Sequence, residues 1–508
     1  RIVWVGSNAE AEAYRSSAER VLNLQGMTII PGFIDAHGHF PGSGLTEFAA
    51  DLNSPPIGDV KSIGSLQSRL SAFADANPDG WILGIGYDDS LLAEKRHPTR
   101  EDLDAVSKDR PVYILHISGH MGVANTAALA LAGIDNTTPD PEGGVIVRDS
   151  SGTATGLLKE TAGTQLQTLA MDFSAIDFME MIDSAAAEYL RVGVTTAQSG
   201  GVDSRMLSGL SLASKLRRIP QRLELWPIWQ TVGEALVAGE MKLNPKPNDY
   251  LSIGAIKIIA DGSIQGYTGY LSQPYFHPHH GDEDYRGFPV VPAQQLAEQV
   301  LAAHSAGYQL AIHGNGDAAI DMILDAIEKA QQAVPREDVR HIIVHAQMAR
   351  HDQLARMKNL GVTPTFFSAH TYYWGDRHRD IFMGPERAAR MSPARSAQAL
   401  NLRYSIHLDT PVVPMNPMLL VWSAVNRVSA SGAEIGPEEK VSVSDALAAT
   451  TIDAAWQIHR DHELGSLTAG KLADLVVLDR NPLTVPALAL RDIEVEQTYV
   501  GGRLYYQR

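Results

Sequence analysis

The sequence predicts an α/β fold centred on a closed barrel of eight parallel βα units. Two observations carry that prediction. Eight short apolar runs, "MTIIPGFIDA", "GVTTAQS", "LELWPIW", "IGAIKIIA", "YQLAIHG", "HIIVHAQ", "VTPTFFS" and "YSIHLD", mostly alternate with helix-period segments, the pattern of a parallel sheet. Side chains able to ligate a metal gather in or after these runs: His37 and His39 after the first, Lys257 in the fourth, His313 ending the fifth, His345 ending the sixth and Asp409 ending the eighth. Barrels of this kind carry their chemistry at the C-terminal ends of the strands.

Taken in chain order, "RIVWVGS" reads as an alternating strand and a turn, and the missing start methionine implies residues before Arg1. The first apolar run is too short for a membrane span and reads as a buried strand ending at His37 and His39. Side chains at i and i+2 of a strand share a face, so both rings meet one ion. Residues 41–170 lack metal-type spacing and hold short strands between Gly, Pro and Asp turns, predicting an inserted, mostly β subdomain. The βα rhythm starts at about residue 171 and runs to 461.

Several side chains admit two readings. Lys257 lies inside "GAIKIIADG", where an unpaired ammonium is costly, so it is either paired with Asp261 or chemically converted. His313 and His345 would each pass as core histidines, but on successive strands opposite a His-x-His they read as ligands. Asp409 either caps a following helix or serves as ligand and base. "SAHTYYWGDRH" offers His370 and Trp374 as an aromatic pocket wall or as ordinary loop packing. His407 is an added partner of the site or a buried ring. Arg427 is a candidate partner for a substrate carboxylate. "HPHH" at 277–280 opens a lid with affinity for metal or a plain solvated loop.

Composition narrows the class. The 508 residues are 44% hydrophobic and 20% charged, with a net charge of −17. That is an ordinary globular balance, with no basic run to recommend a nucleic acid or an anionic membrane as partner. Cysteine is absent, so a metal must be held by His, Asp, Glu or modified Lys. No apolar run reaches membrane-spanning length. The compartment is left open by the sequence: cytoplasmic or, if a signal peptide has been removed, periplasmic.

"PGFIDAHGH", "IKIIADGS", "LAIHGNGDAAID", "HIIVHAQ", "LDTPVVPMNP" and "LGSLTAGKLADLVVLDRNP", in that order, resemble the metal-dependent amidohydrolase superfamily. The nearest look is to its amidohydrolase 3 branch, which includes N-substituted formamide deformylases. The resemblance implies a (β/α)8 TIM barrel (28–40 and 171–461), a small β-sandwich from both chain ends (1–27 and 462–508) and a homodimer. It also implies a centre of two divalent ions, zinc, acting on a small amide-like substrate. His37, His39 and Asp409 would hold the first ion, His313 and His345 the second, and N-carboxylated Lys257 would bridge them. His120, in "ISGHMGVANTAAL", falls where the inserted segment leans over the barrel mouth, as a substrate contact or a structural ring. His370 and Trp374 would also face substrate. Val344 stands where a Glu is common, and His407 and Leu408 replace a common Gly-Ser before Asp409; both changes bear on hydrogen bonding around the ligands. Two divalent ions would bring a bridging water from a pKa of ~15.7 toward ~7 for attack on a carbonyl. Asp409 would then pass a proton to the leaving nitrogen. Two alternatives stay open: a deaminase-type member with one metal, and a regulatory or binding protein on this scaffold.

Overall fold

A computed structural model of the chain describes residues 1–241, 249–279 and 281–508. Its centre is parallel sheet covered by helices. Phe33–Ile34, Val194–Val202, Arg222–Pro227 and Leu251–Ile253 form one sheet in that spatial order. Ile256–Ile259, Leu310–Gly314, Ile342–His345, Thr363–Phe366 and Ser405–Ile406 form a second, and every pairing in both is parallel. The arrangement is of the TIM-barrel type.

The eight predicted runs all contribute strand, and the fourth explains how the two sheets meet. Leu251–Ile253 pairs with Arg222–Pro227, whereas Ile256–Ile259 pairs with Leu310–Gly314. The break falls at Gly254 and Ala255, where a Cβ on Gly254 would meet Glu224 Oε1 at 1.8 Å. Ile228 and Lys257 form an isolated parallel bridge across this seam. At the other seam the Asp409 N–H donates to His37 O at 3.2 Å and the His39 N–H to Thr410 O at 2.8 Å.

The helices are held by one apolar face and their caps. Asp317–Ala333 buries Ile320, Ile323, Leu324 and Ile327 against the strands, the spacing of a helix seated on a sheet. Ala175–Arg191 begins with a capping box of Ser174 and Asp177, which satisfies two N–H groups that the helix cannot bond itself.

Four expectations differ. The first run is two strands, because Thr28–Pro31 pairs antiparallel with Leu475–Leu478 and only Phe33–Ile34 joins the parallel sheet. The chain changes sheet at Gly32, where a Cβ would lie 2.1 Å from Thr195 Oγ1. The chain ends build one four-stranded antiparallel sheet, Thr28–Pro31, Leu475–Leu478, Val495–Val500 and Arg503–Gln507. "RIVWVGS" is not a strand; Ile2 bonds only to the backbone of Gly470 and Lys471. Residues 41–170 carry a six-stranded mixed sheet together with helices such as Ile63–Ala76 and Thr126–Leu131, so they are α/β rather than mostly β. Ile63, Leu66 and Leu70 of the first of these helices fill that sheet's own core; their helical spacing supplies the face that short strands alone would lack.

The antiparallel sheet is tied to the parallel one by a buried ion pair. Arg222 donates to both oxygens of Asp474, at 2.6 and 2.9 Å, with both side chains buried. Among the described residues no helix is long and apolar enough to cross a membrane.

Candidate metal centre

The strand ends bring four of the six expected ligand side chains onto one carboxylate or its neighbour. Asp409 Oδ1 lies 3.4 Å from His37 Nε2 and 3.2 Å from His39 Nε2, and Asp409 Oδ2 lies 3.9 Å from His345 Nε2. The His37, His39 and Asp409 donor atoms all lie within 4.8 Å of one another, a spacing that suits a cation. Lys257 Nζ stands 3.1 Å from His37 Nε2. The His313 ring packs edge-on against His345, with centroids 4.6 Å apart. Asp409 and His345 both have positive φ, 58° and 68°. Such backbone strain in residues other than glycine concentrates at functional sites.

Three of the four rings are aimed by a partner. His39 Nδ1 meets Gly200 O at 2.8 Å, which leaves Nε2 for the centre. His37 stacks on Trp226, 5.5 Å between centroids and 11° between planes, while the Gly38 N–H donates to Gln198 Oε1 at 2.7 Å. His313 Nδ1 lies 3.1 Å from Asp261 Oδ1, and Asp261 also accepts the N–H groups of Tyr270, Asn315 and Gly316. Asp261 therefore serves His313 and the neighbouring turn, and is not the partner of Lys257.

Burial sets the charge states. It pushes His37 and His345 well below the ordinary histidine range, with the Lys257 charge adding to the shift at His37 and His313 at His345. These imidazoles are neutral, as metal ligands must be. Burial pushes Lys257 down to about 7, partly offset by the charge of Asp409. At Asp409 burial opposes ionisation, but the close contact with His39 and the nearby imidazoles of His37 and His345 outweigh it and hold the carboxyl well below its usual range. The donor set fits a divalent ion. The atoms facing each other are imidazole nitrogens and a carboxylate, and the buried Asp409 Oδ1 has no hydrogen-bond partner, an expensive state for an atom with nothing to bind.

The remaining expected residues fall in different places. His120 and His370 line one cavity with His345 and Asp409. His120 Nδ1 meets Glu160 Oε2 at 2.8 Å. Burial lowers the His120 pKa, but the charge and hydrogen bond of Glu160 more than reverse that and raise it. His370 Nδ1 lies 3.1 Å from His378 Nε2. Trp374 is buried, and its indole N–H donates to Asp88 Oδ2 at 3.0 Å, tying the inserted segment to the loop after Thr363–Phe366. Arg427 is spent on the carbonyls of Ile435, Ser392, Ala389 and Met391, so it does not await a substrate carboxylate. The His407 ring lies between those of His37 and His345, at 5.3 and 5.0 Å, with neither nitrogen bonded. In the "HPHH" stretch His279 stacks on Tyr267, and His280 lies outside the described residues.

Sequence reasoning missed Glu160, Ser263, Gln265 and Asn315, which surround the same cavity or back His120. "LLKE" and "DGSIQG" carry no period or ligand spacing that would have found them.

The chain is similar along nearly its whole length to known proteins. A model described as "Amidohydrolase family" matches residues 20–506. The chain is 31% identical over 519 residues to an N-substituted formamide deformylase of Arthrobacter pascens, covering 100% of this chain and 94% of that protein. It is 30% identical over 524 residues to Protein LONG AFTER FAR-RED 3 of Arabidopsis thaliana, covering 100% and 87%. A crystal structure of an uncharacterized metal-dependent hydrolase from Pyrococcus horikoshii OT3 superposes with a TM-score of 0.75 at 26% identity, covering 96% of this chain and 93% of that one.

Proposed function

The chain belongs to the amidohydrolase family and is a hydrolase of carbon–nitrogen bonds, and from that premise we propose that it cleaves a small amide or formamide at a centre of two divalent ions, zinc. The observation that carries this reading is the meeting of His37 Nε2, His39 Nε2 and Asp409 Oδ1 beside a buried lysine. His37, His39 and Asp409 would hold one ion and His313 and His345 the other. Lys257, carboxylated on Nζ, would bridge them, because a bare ammonium has only donors and cannot ligate a cation. When bound, the ions supply Lewis-acid chemistry, acidifying water and polarising the substrate carbonyl. The surrounding fold is read as a (β/α)8 barrel of 32–40 and 171–461, its start moved from the expected residue 28 because Thr28–Pro31 pairs with the chain-end sheet, capped by 41–170 and flanked by the chain ends, 1–31 and 462–508. A homodimer through barrel helices is part of the same proposal.

The chain's own groups do the proton work. Asp409, ionised at neutral pH, accepts a proton from the attacking water. Water oxygen bonds to the carbonyl carbon, the C–N bond breaks, and Asp409 returns its proton to the leaving nitrogen. The products are a carboxylic acid and an amine. His120, held by Glu160, and His370, held by His378, flank the cavity and orient the substrate. Two side chains fixed in this way limit the rotation that a reacting group must give up.

Elemental analysis of purified protein should find about two divalent ions per chain, and those preparations should hydrolyse members of a formamide, amide and lactam panel. One ion at saturation, with ammonia released from an amino-heterocycle, would favour a deaminase instead.

A further inference from the structure

The turn 262–266, just after the strand that carries Lys257, places two polar side chains against the reaction cavity with nothing to bind. Ser263 and Gln265 line it together with His345 and Asp409. Both residues are more than nine-tenths buried, at 3% and 8% exposure, and neither Ser263 Oγ nor Gln265 Oε1 has a hydrogen-bond partner. Buried acceptors of this kind are almost always satisfied. The turn is also shaped to keep them there. A Cβ on Gly266 would meet Met121 Cε at 2.4 Å and Ser263 Oγ at 2.6 Å, and one on Gly262 would meet Glu160 Oε1 at 2.3 Å. Small residues are thus required where the turn packs on the inserted segment, and the larger polar ones face the cavity.

Among the described residues that line this cavity, none is Lys or Arg. An amide N–H finds an unsatisfied acceptor there. A secondary carboxamide has one hydrogen-bond donor in its amide group, the N–H, and its carbonyl oxygen would be turned to the ligand side. We propose that Gln265, assisted by Ser263, accepts the N–H next to the scissile bond. It thereby selects substrates that keep a hydrogen on the amide nitrogen over fully N-substituted ones. This inference rests on the C–N hydrolase reading above.

The test compares N-butylformamide with N-butyl-N-methylformamide as substrates of the metal-loaded protein. A site built to bond a substrate N–H rejects an analogue lacking it, because its own acceptor is then left unpaired. Wild type should favour the secondary formamide in kcat/KM by about tenfold or more. In Gln265→Leu the ratio should fall to within about twofold of unity, mainly through a higher KM for the secondary formamide, with metal content unchanged. Gln265→Met serves the same purpose if the Leu variant does not fold. Turnover of both substrates with the same ratio in wild type and variant overturns the inference alone and means that water satisfies Gln265. No turnover of either substrate by metal-loaded wild type overturns this inference, and no turnover across the formamide, amide and lactam panel overturns the hydrolase reading with it.

Discussion

Lys257 is the residue on which the binuclear reading depends most. It sits in a strand whose neighbours Ile256 and Ile258 are fully buried, and burial has already brought its amine close to neutrality, at about 7. Only the neutral amine adds carbon dioxide, so the fold favours the carbamate where an exposed lysine would stay protonated. Lys257→Ala and Lys257→Arg should each lose at least one ion and reduce kcat about a hundredfold or more, since neither can make the carbamate. Elemental analysis beside turnover decides this, and normal loading and rate in the Arg variant would reduce Lys257 to a structural cation. The same residue has a signature without metal. Its folded pKa lies below its unfolded one, so the unfolded chain binds more protons between about pH 7 and 10.5. Through Lys257, metal-free protein therefore gains stability as pH rises through that window. Lys257→Met should abolish that gain in thermal melts run across the range.

At the scale of elements, the site is assembled by the seam between two sheets and by a clasp from the inserted segment. Asp88, after the strand Ile82–Tyr87, accepts from Trp374 Nε1 at 3.0 Å and from Arg377 at 2.7 Å. Trp374 in turn packs on His370, with centroids 4.7 Å apart, so the clasp braces one wall of the cavity. Asp88→Ala leaves a buried indole N–H and a largely buried guanidinium without their acceptor. Breaking a buried pair in this way costs about 3–5 kcal/mol. The variant should melt at lower temperature and show a raised KM, because the loop carrying His370 is released. An unchanged KM alongside the stability loss would mean that the clasp holds the segments together without shaping the pocket.

For the whole molecule, metal and fold are coupled, because the expected ligands come from strands that lie far apart in sequence. An ion that binds only the assembled site stabilises it by about 2.7 kcal/mol at a hundred times its Kd. Removing divalent metal with a chelator should therefore lower Tm by about 2–3 °C, and zinc should restore it. A double His37→Ala, His39→Ala variant should show no such response in the same melts. Much of this was legible in the sequence. The period of apolar runs gave eight parallel strands, and His37 and His39 at i and i+2 gave the shared face, because both are local properties of a strand. The positions of His313, His345 and Asp409 at strand ends followed from the same periodicity. Other features depended on which elements pack together. Gly32 moves the chain between sheets only because Thr195 comes close, and Asp261 belongs to His313 rather than Lys257 because the turn after its strand folds over the next one. Trp374 meets Asp88 across nearly three hundred residues of chain. Ser263 and Gln265 become a substrate wall only because the inserted segment closes over their turn. The sequence by itself determined the strands, the ligand types and the family; the tertiary structure decided which side chains are partnered and which are left to meet a ligand. Strand period is a nearest-neighbour property, whereas satisfying a buried polar group requires atoms that only packing brings within hydrogen-bond distance.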